Sequence, residues 1–175
     1  MMCFFPSAAT RETCATQLYR MRLRYGFLYG EVQATSASIE GLAMWIPSDR
    51  AEMTLWSQMR CGGIRLFRQV GREAIKRMLS VASHDDALRR RCAPPEYWFL
   101  SVLAVDPPFQ GKGHASLLLR SMHARLDVQG LACYVETTEE RLLPFYERFG
   151  YEVIDSSIVP GSDLCVWALV RESQR

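Results

Sequence analysis

No run in this chain approaches the roughly 18 apolar residues that a membrane-spanning helix needs, although about half of its 175 residues (49%) are apolar. The apolar patch from Met1 to Pro6 is too short for a secretory signal and has no basic residue ahead of it. Histidine is scarce, with only His84, His114 and His123. The six cysteines (Cys3, Cys14, Cys61, Cys92, Cys133 and Cys165) include no pair at metal-ligand spacing. Together these two shortages argue against a structural zinc site. Scattered thiols without a signal segment point to a reducing cytoplasm. Lysine is almost missing: Lys76 and Lys112 stand among 21 Lys and Arg residues, and the net charge of +2 is too small to imply a nucleic-acid partner. Internal repeats, low-complexity tracts and interdomain linkers are all lacking. Residues 1–175 are therefore expected to form one domain around a single core.

What is present alternates between helical and extended patterning. Residues from Ala8 to Phe27 read as a helix, with Leu18, Met21, Leu23, Tyr25 and Leu28 apolar and Arg20, Arg22 and Arg24 on its solvated side. Gly26 and Gly30 are expected to end it. Two strands follow, from Glu31 to Ala37 and from Gly41 to Ile46, the second stopped by Pro47. The segment from Asp49 to Cys92 is helical in pattern, with breaks expected near Gly62-Gly63 and Ser83-His84. Between Arg60 and Arg91 nine basic residues face three acidic ones. That is either a solvated helical face or a surface for an anionic substrate or nucleic acid. No aromatic–basic interleaving accompanies the charge, which weighs against nucleic acid.

The nearly unbroken apolar run from Tyr97 to Val105 is what a strand covered on both faces requires. After Asp106-Pro107-Pro108 a helix begins near Gly113. Its Ala115, Leu118, Leu119, Met122 and Leu126 recur every three or four residues and form one buried stripe. Gly130 ends that region and a strand from Leu131 to Glu136 follows, giving a strand–helix–strand unit. A further helix from Glu139 to Phe149, closed by Gly150, precedes strands at 151–157 and 164–170. The fold class is α/β.

The segment Gln110-Gly111-Lys112-Gly113-His114-Ala115 carries the chemistry. Glycines at 111 and 113 let the backbone approach a ligand, and the first helical turn offers unpaired N–H groups and partial positive charge. These are the elements of a pyrophosphate site, with Lys112 as a cation at its rim, although two glycines before a helix also read as an ordinary turn. A dinucleotide site fits poorly because its third glycine is missing, and no Gly-Lys-Ser/Thr marks a Walker-type loop.

The order of features from Leu103 to Ala115 resembles the acetyl-CoA-binding motif of the GNAT acetyltransferase superfamily, in which a strand end precedes a Gln/Arg-x-x-Gly-x-Gly/Ala loop. Downstream, Pro144-Phe145-Tyr146-Glu147-Arg148-Phe149-Gly150-Tyr151 resembles its second signature, a tyrosine-bearing helix closing in Gly-Phe/Tyr. Residues Gly41 to Pro47 and Val135-Glu136-Thr137 resemble the branch that contains puromycin N-acetyltransferase.

The resemblance implies a mixed central sheet with helices on both faces and strands splayed at the acetyl-CoA site, residues 97–170 forming the cofactor-binding and C-terminal part. Acetyl-CoA is the implied co-substrate. Its pantetheine arm would run along Leu103, Ala104 and Val105, and its pyrophosphate would rest on Gln110, Gly111, Lys112, Gly113, His114, Ala115 and Ser116. His114 reads equally well as a solvated loop histidine. Tyr146, near the sulfur, is the expected general acid, with a tyrosine packed in the core and its hydroxyl satisfied as the alternative. Glu136 is the expected base, directly or through water, with an ordinary strand-end polar contact as the alternative. A backbone N–H near Val105 would serve the oxyanion, and Cys133 is expected to be a buried structural thiol.

Two departures from the family pattern stand out. Leu142 replaces an asparagine that often contacts the cofactor. Only Met1 to Ser7 is available for the strand and helix that usually come first. An edge left uncovered would pair with a second copy, making a homodimer, or leave the acceptor site open. The expected activity is acetylation of a primary amine on a small molecule. A protein amine, or cofactor binding without catalysis, are the alternatives.

Overall fold

The structure is a computed structural model and describes residues 8–69 and 72–174. The segment from Met1 to Ser7, on which the expectation of a shortened start depends, lies outside them. In chain order the elements are α1 (Ala8–Tyr29), β1 (Glu31–Ala34), β2 (Gly41–Pro47), α2 (Leu55–Arg60), α3 (Gly63–Gln69), α4 (Arg72–Cys92), β3 (Tyr97–Val105), α5 (His114–Gln129), β4 (Ala132–Thr137), α6 (Leu143–Glu147), β5 (Glu152–Ile158) and β6 (Cys165–Arg171). The strands form one sheet in the order β1-β2-β3-β4-β6-β5. All neighbours are antiparallel except β3 and β4. A parallel pair needs a crossover, and α5 supplies it.

Alternation along β2 shows how the two layers of helices are held. Ala43 and Trp45 join the core beneath α5, where Leu118, Leu119, Met122 and Leu126 pack with Leu100, Cys133 and Val135. Met44 and Ile46 point the other way, toward Met21 and Tyr25 of α1 and Leu66 of α3. On that same side Leu88 of α4 packs with Tyr97, Tyr134, Val166 and Ala168. Helices cover both faces of a mixed sheet, as the sequence leads one to expect.

Several boundaries differ from the sequence reading. Gly26 does not end α1. It lies inside the helix, where a side chain would collide with Met44, so its role is close packing against β2. The helix continues to Tyr29, and Gly30 meets the backbone of Trp45. The break at Gly62-Gly63 is real, with Gly62 at φ +100°. The break expected at Ser83-His84 is not: α4 runs through both. Serine and histidine reduce helix propensity only by tenths of a kcal/mol, about what packing overrides. His84 faces inward instead, its ring nitrogen 2.9 Å from the Ser157 hydroxyl on β5. β1 stops at Ala34 because Thr35 and Ser36 turn back to hydrogen-bond Glu40. The helix expected from Glu139 is a 3-10 turn over Glu140–Leu142 followed by the short α6. Gly150, at φ +82°, follows as anticipated.

The register of β3 is the feature that makes a site. Against β2 it pairs along its full length, but Met44 faces Val102 while Trp45 faces Leu100, so Ser101 is an extra residue. A bulge of this kind bends its strand and sharpens the local twist. Against β4 the pairing runs only from Tyr97↔Ala132 to Leu100↔Val135. From the bulge onward β3 and β4 part, and the β4-facing edge of residues 101–105 is left open.

Below this opening lies a buried histidine. His123 of α5 is 5% exposed, with a ring nitrogen 3.0 Å from the Tyr151 hydroxyl. Burial, helped by the Arg171 charge, pushes its pKa down to about 4. The unfolded chain therefore takes up a proton between pH 6.5 and 4 that the folded chain refuses. The contribution of His123 is whole above pH 6.5 and is lost as pH falls through about 4. The stability of the wild type relative to His123→Gln is expected to fall by about 3 kcal/mol between pH 7 and pH 4. Urea denaturation at a series of pH values measures it, and parallel curves would show that the histidine is not held neutral.

Candidate active site

The loop after β3 is tied down at both ends. Asp106 N–H donates to the Glu40 carbonyl at 2.8 Å, and the Gln110 side-chain amide donates to the Val105 carbonyl at 3.1 Å. Gly111 (φ +75°) and Gly113 (φ +87°) take left-handed conformations that L side chains rarely adopt. A side chain at either would meet no heavy atom within 4 Å. Gly113 caps α5, and Leu117 N–H is the donor that reaches its carbonyl, at 2.9 Å. The N–H groups of His114, Ala115 and Ser116 thus have no carbonyl in the helix, at the positive end of a 16-residue dipole. The Lys112 ammonium lies 5.2 Å from the Phe109 ring centre. Leu103 and Val105 are half-buried and Ala104 is exposed along the open edge of β3. Open glycines, unpaired donors and a cation suit a ligand with phosphate groups at one end and an amide arm at the other.

Tyr146 stands on the α5 side of the opening, in the cluster that contains Leu100 and Val135, the last paired residues of β3 and β4. It is 6% exposed and packs 5.3 Å from the Phe145 ring and 5.5 Å from Tyr151. Among the described residues nothing hydrogen-bonds its hydroxyl. Burial pushes its pKa up to about 12, so it keeps its proton through the neutral range. Leu142 lies four residues earlier, partly exposed.

Glu136 is the first β4 residue beyond the last β3 pair, and strand alternation turns it to the opposite face, with Tyr134. Both its oxygens are engaged. Arg89 of α4 donates to one at 2.9 Å, and the Tyr134 hydroxyl donates to the other at 2.9 Å. Arg89 also donates to Asp86 at 2.9 Å and lies over the Phe99 ring at 4.3 Å. Burial raises the Glu136 pKa against the pull of Arg89 and the Tyr134 hydrogen bond. Asp85, four residues before Arg89, shares that helix face. One of its carboxylate oxygens is buried without a hydrogen-bond partner. Burial, followed by the Glu136 charge, lifts its pKa to about 7.

The structure places Tyr146 and Glu136 on opposite faces of the sheet, and Asp85 and Arg89, which the sequence does not single out, sit in the segment read as a basic face. The sequence signal was the acidic pair Asp85-Asp86, set one helical turn before Arg89. The arginines that end α4 are all held by carboxylates: Arg89 by Glu136 and Asp86, Arg90 by Glu52, and Arg91 by Asp155. Cys133 is fully buried, and burial pushes its thiol up to about 12. It is no nucleophile at neutral pH. Among the described residues no group of three His, Cys, Asp or Glu is placed to hold a metal, and no helix is long and apolar enough to cross a membrane.

A mixed sheet parted at a bulge, with a helix start of unpaired N–H groups in the loop after β3, is the architecture of a class of acyltransferase folds. Residues 60–153 match the family model described as an acetyltransferase (GNAT) domain, more than half of the chain, and the chain belongs to that family. It is 42% identical over 60 residues to mycothiol acetyltransferase from Propionibacterium freudenreichii, covering 33% of this chain and 19% of that protein. It is 26% identical over 117 residues to an uncharacterized N-acetyltransferase of Schizosaccharomyces pombe, covering 63% of this chain and 47% of that one. The chain thus spans less than half the length of either curated relative.

Among solved structures, the one described as histone acetyltransferase HPA2 and related acetyltransferase from Corynebacterium glutamicum superposes with a TM-score of 0.65. It is 17% identical and covers 98% of this chain and 81% of that one. Arylalkylamine N-acetyltransferase 2 from Aedes aegypti gives 0.54 at 12% identity, over 79% and 71%. At such identities the likeness is one of fold. The branch containing puromycin N-acetyltransferase stays an expectation of the sequence.

Proposed function

We propose that the chain is an acetyl-CoA-dependent N-acetyltransferase working in the cytoplasm, with residues 1–175 as one catalytic domain, that acetylates a primary amine of a small molecule by direct transfer. One observation carries this reading. Where β3 and β4 part, a buried protonated tyrosine stands on one face of the sheet and a carboxylate cluster on the other. Acetyl-CoA would be held by the open edge at Leu103, Ala104 and Val105 and by Gln110 to Ser116, and it supplies the acetyl thioester.

An amine and a departing thiol sit on opposite sides of the carbonyl between them, so the groups that take and give protons must be separated as well. Tyr146 has its proton available at neutral pH and no hydrogen-bond partner for it among the described residues, which suits an acid. A backbone N–H near Val105 would support the oxyanion. Glu136 adds negative potential that draws in an ammonium group, and proton uptake at Glu136 itself must compete with Arg89. A buried Cys133 with a raised pKa supports transfer without an acetyl-cysteine stage.

For Tyr146→Phe we expect kcat to fall about 100-fold while the Kd for acetyl-CoA changes by no more than about twofold. Turnover that is unchanged across pH would retire Tyr146 as the acid. The test of the reading as a whole is calorimetric titration with acetyl-CoA, coenzyme A and NAD, followed by thiol release with a panel of amines. A folded protein that binds acetyl-CoA no better than NAD would reject it. Tight binding without turnover on any amine would make it a binding module instead.

A further inference from the structure

The geometry points to Asp85 of α4 as the carboxylate that receives the proton of the amine acceptor, with Glu136 and Arg89 as its positioning residues. The inference rests on the acetyl-transfer reading above and adds a residue to it.

Each Glu136 oxygen already accepts a hydrogen bond, one from Arg89 and one from Tyr134, so a proton arriving there must compete with them. Asp85 is less committed: its Oδ1 is buried and has no hydrogen-bond partner among the described residues. Arg89, 5% exposed, likewise leaves its Nε without a partner. A donor and an acceptor, both unmet and one turn apart on the same helix face, are what a small group that gives and takes hydrogen bonds would satisfy. A primary amine that has lost one proton is such a group.

The cluster stands on the face of the sheet opposite Tyr146, where β4 runs beyond its last β3 pair. The charged groups facing Asp85 are Glu136 of β4, Asp86 and Arg89 of its own helix, and Arg22 of α1. Three carboxylates thus confront one buried guanidinium and one exposed arginine, a balance that favours a cation. With its pKa near 7, Asp85 is ionised in about half of the molecules at neutral pH, the range in which a base works best.

The protons balance as follows. The ammonium gives one proton to Asp85, which passes it to solvent. The nitrogen lone pair forms the C–N bond and the C–S bond breaks. Asp85, again ionised, takes the second proton from nitrogen and passes it to solvent. Tyr146 gives its proton to sulfur and is reprotonated from solvent, so one proton is released per acetyl group.

The test combines turnover with a measurement that needs none. Thiol release with phenethylamine and with agmatine is followed against pH, acetyl-CoA affinity is measured by calorimetry, and the Asp85 carboxyl carbon is titrated by NMR. In the wild type we expect that carbon to titrate near pH 7 and its midpoint to fall when either amine is added. Asp85→Asn should bind acetyl-CoA normally, lose about 100-fold in kcat/KM and lose the acidic limb of the profile. Asp85→Glu should restore that limb. Glu136→Gln should keep the limb but lower the Asp85 midpoint, because a like charge has gone. An ordinary carboxylate midpoint at Asp85, an Asp85→Asn profile that keeps its acidic limb, or a limb abolished by Glu136→Gln would each overturn the assignment. If the wild type acetylates neither amine, the carboxyl titration decides alone. Failure of the wild type to bind acetyl-CoA would sink the parent reading without touching that titration.

Discussion

Gly113→Val is expected to abolish acetyl-CoA binding in a protein that still folds. The residue sits at φ +87°, where a β-branched side chain is strained by about 1–3 kcal/mol. Packing adds little to that strain, because a Cβ at this point meets no heavy atom within 4 Å beyond its chain neighbours. The valine methyls add bulk to the open loop that leads into the N–H groups of His114 to Ser116, where the pyrophosphate is proposed to lie. A loss of at least about 100-fold in affinity, close to 3 kcal/mol, follows from blocking those donors. Calorimetry on the folded variant reads it, with Gly113→Ala falling between the two. Unchanged affinity for the valine variant would remove this loop from the site.

The largest effect on stability is expected from Arg89→Met. It leaves Glu136 buried beside Tyr134 with no opposite charge, and breaking a buried pair in this way costs about 3–5 kcal/mol. Adding Glu136→Gln removes the stranded charge while keeping an acceptor for the Tyr134 hydroxyl. The double variant should therefore recover most of the loss. Urea denaturation of the four proteins gives the coupling directly. Strictly additive losses would mean that the two side chains do not support one another. The surface pairs Arg90–Glu52 and Arg91–Asp155 are more exposed, and such pairs contribute about 0–1 kcal/mol.

Legibility in the sequence divides along a physical line. The run from Tyr97 to Val105, the 3–4 spacing from Ala115 to Leu126 and the glycines at 111 and 113 announce themselves, because each is a local pattern with a local cause. The chain also shows where Tyr146 and Glu136 fall along it. It does not show what Glu136 touches, since Arg89 is 47 residues away and reaches it only through the packing of α4. For the same reason Asp85 passes as one more polar residue on a charged helix. Ser101 gives no sign of being a bulge, because the extra residue exists only relative to the register of β2. The helix break wrongly expected at Ser83-His84 shows the converse: two weak formers inside a 21-residue helix are carried by the contacts on either side.

The placement of α1 and α4 on one face, with α5 and its loop on the other, has a consequence for how such a protein can change over generations. In the proposed reading the α5 side answers to one ligand, the coenzyme, so its glycines and its helix start would admit little substitution. The α1 and α4 side would answer to the acceptor amine. Exchanges near Arg22, Asp85 or Arg89 would then retune that choice while the sheet shields the coenzyme side from the disturbance. Inheritance of the proposed chemistry and divergence of its acceptor would be separated by the thickness of one β-sheet.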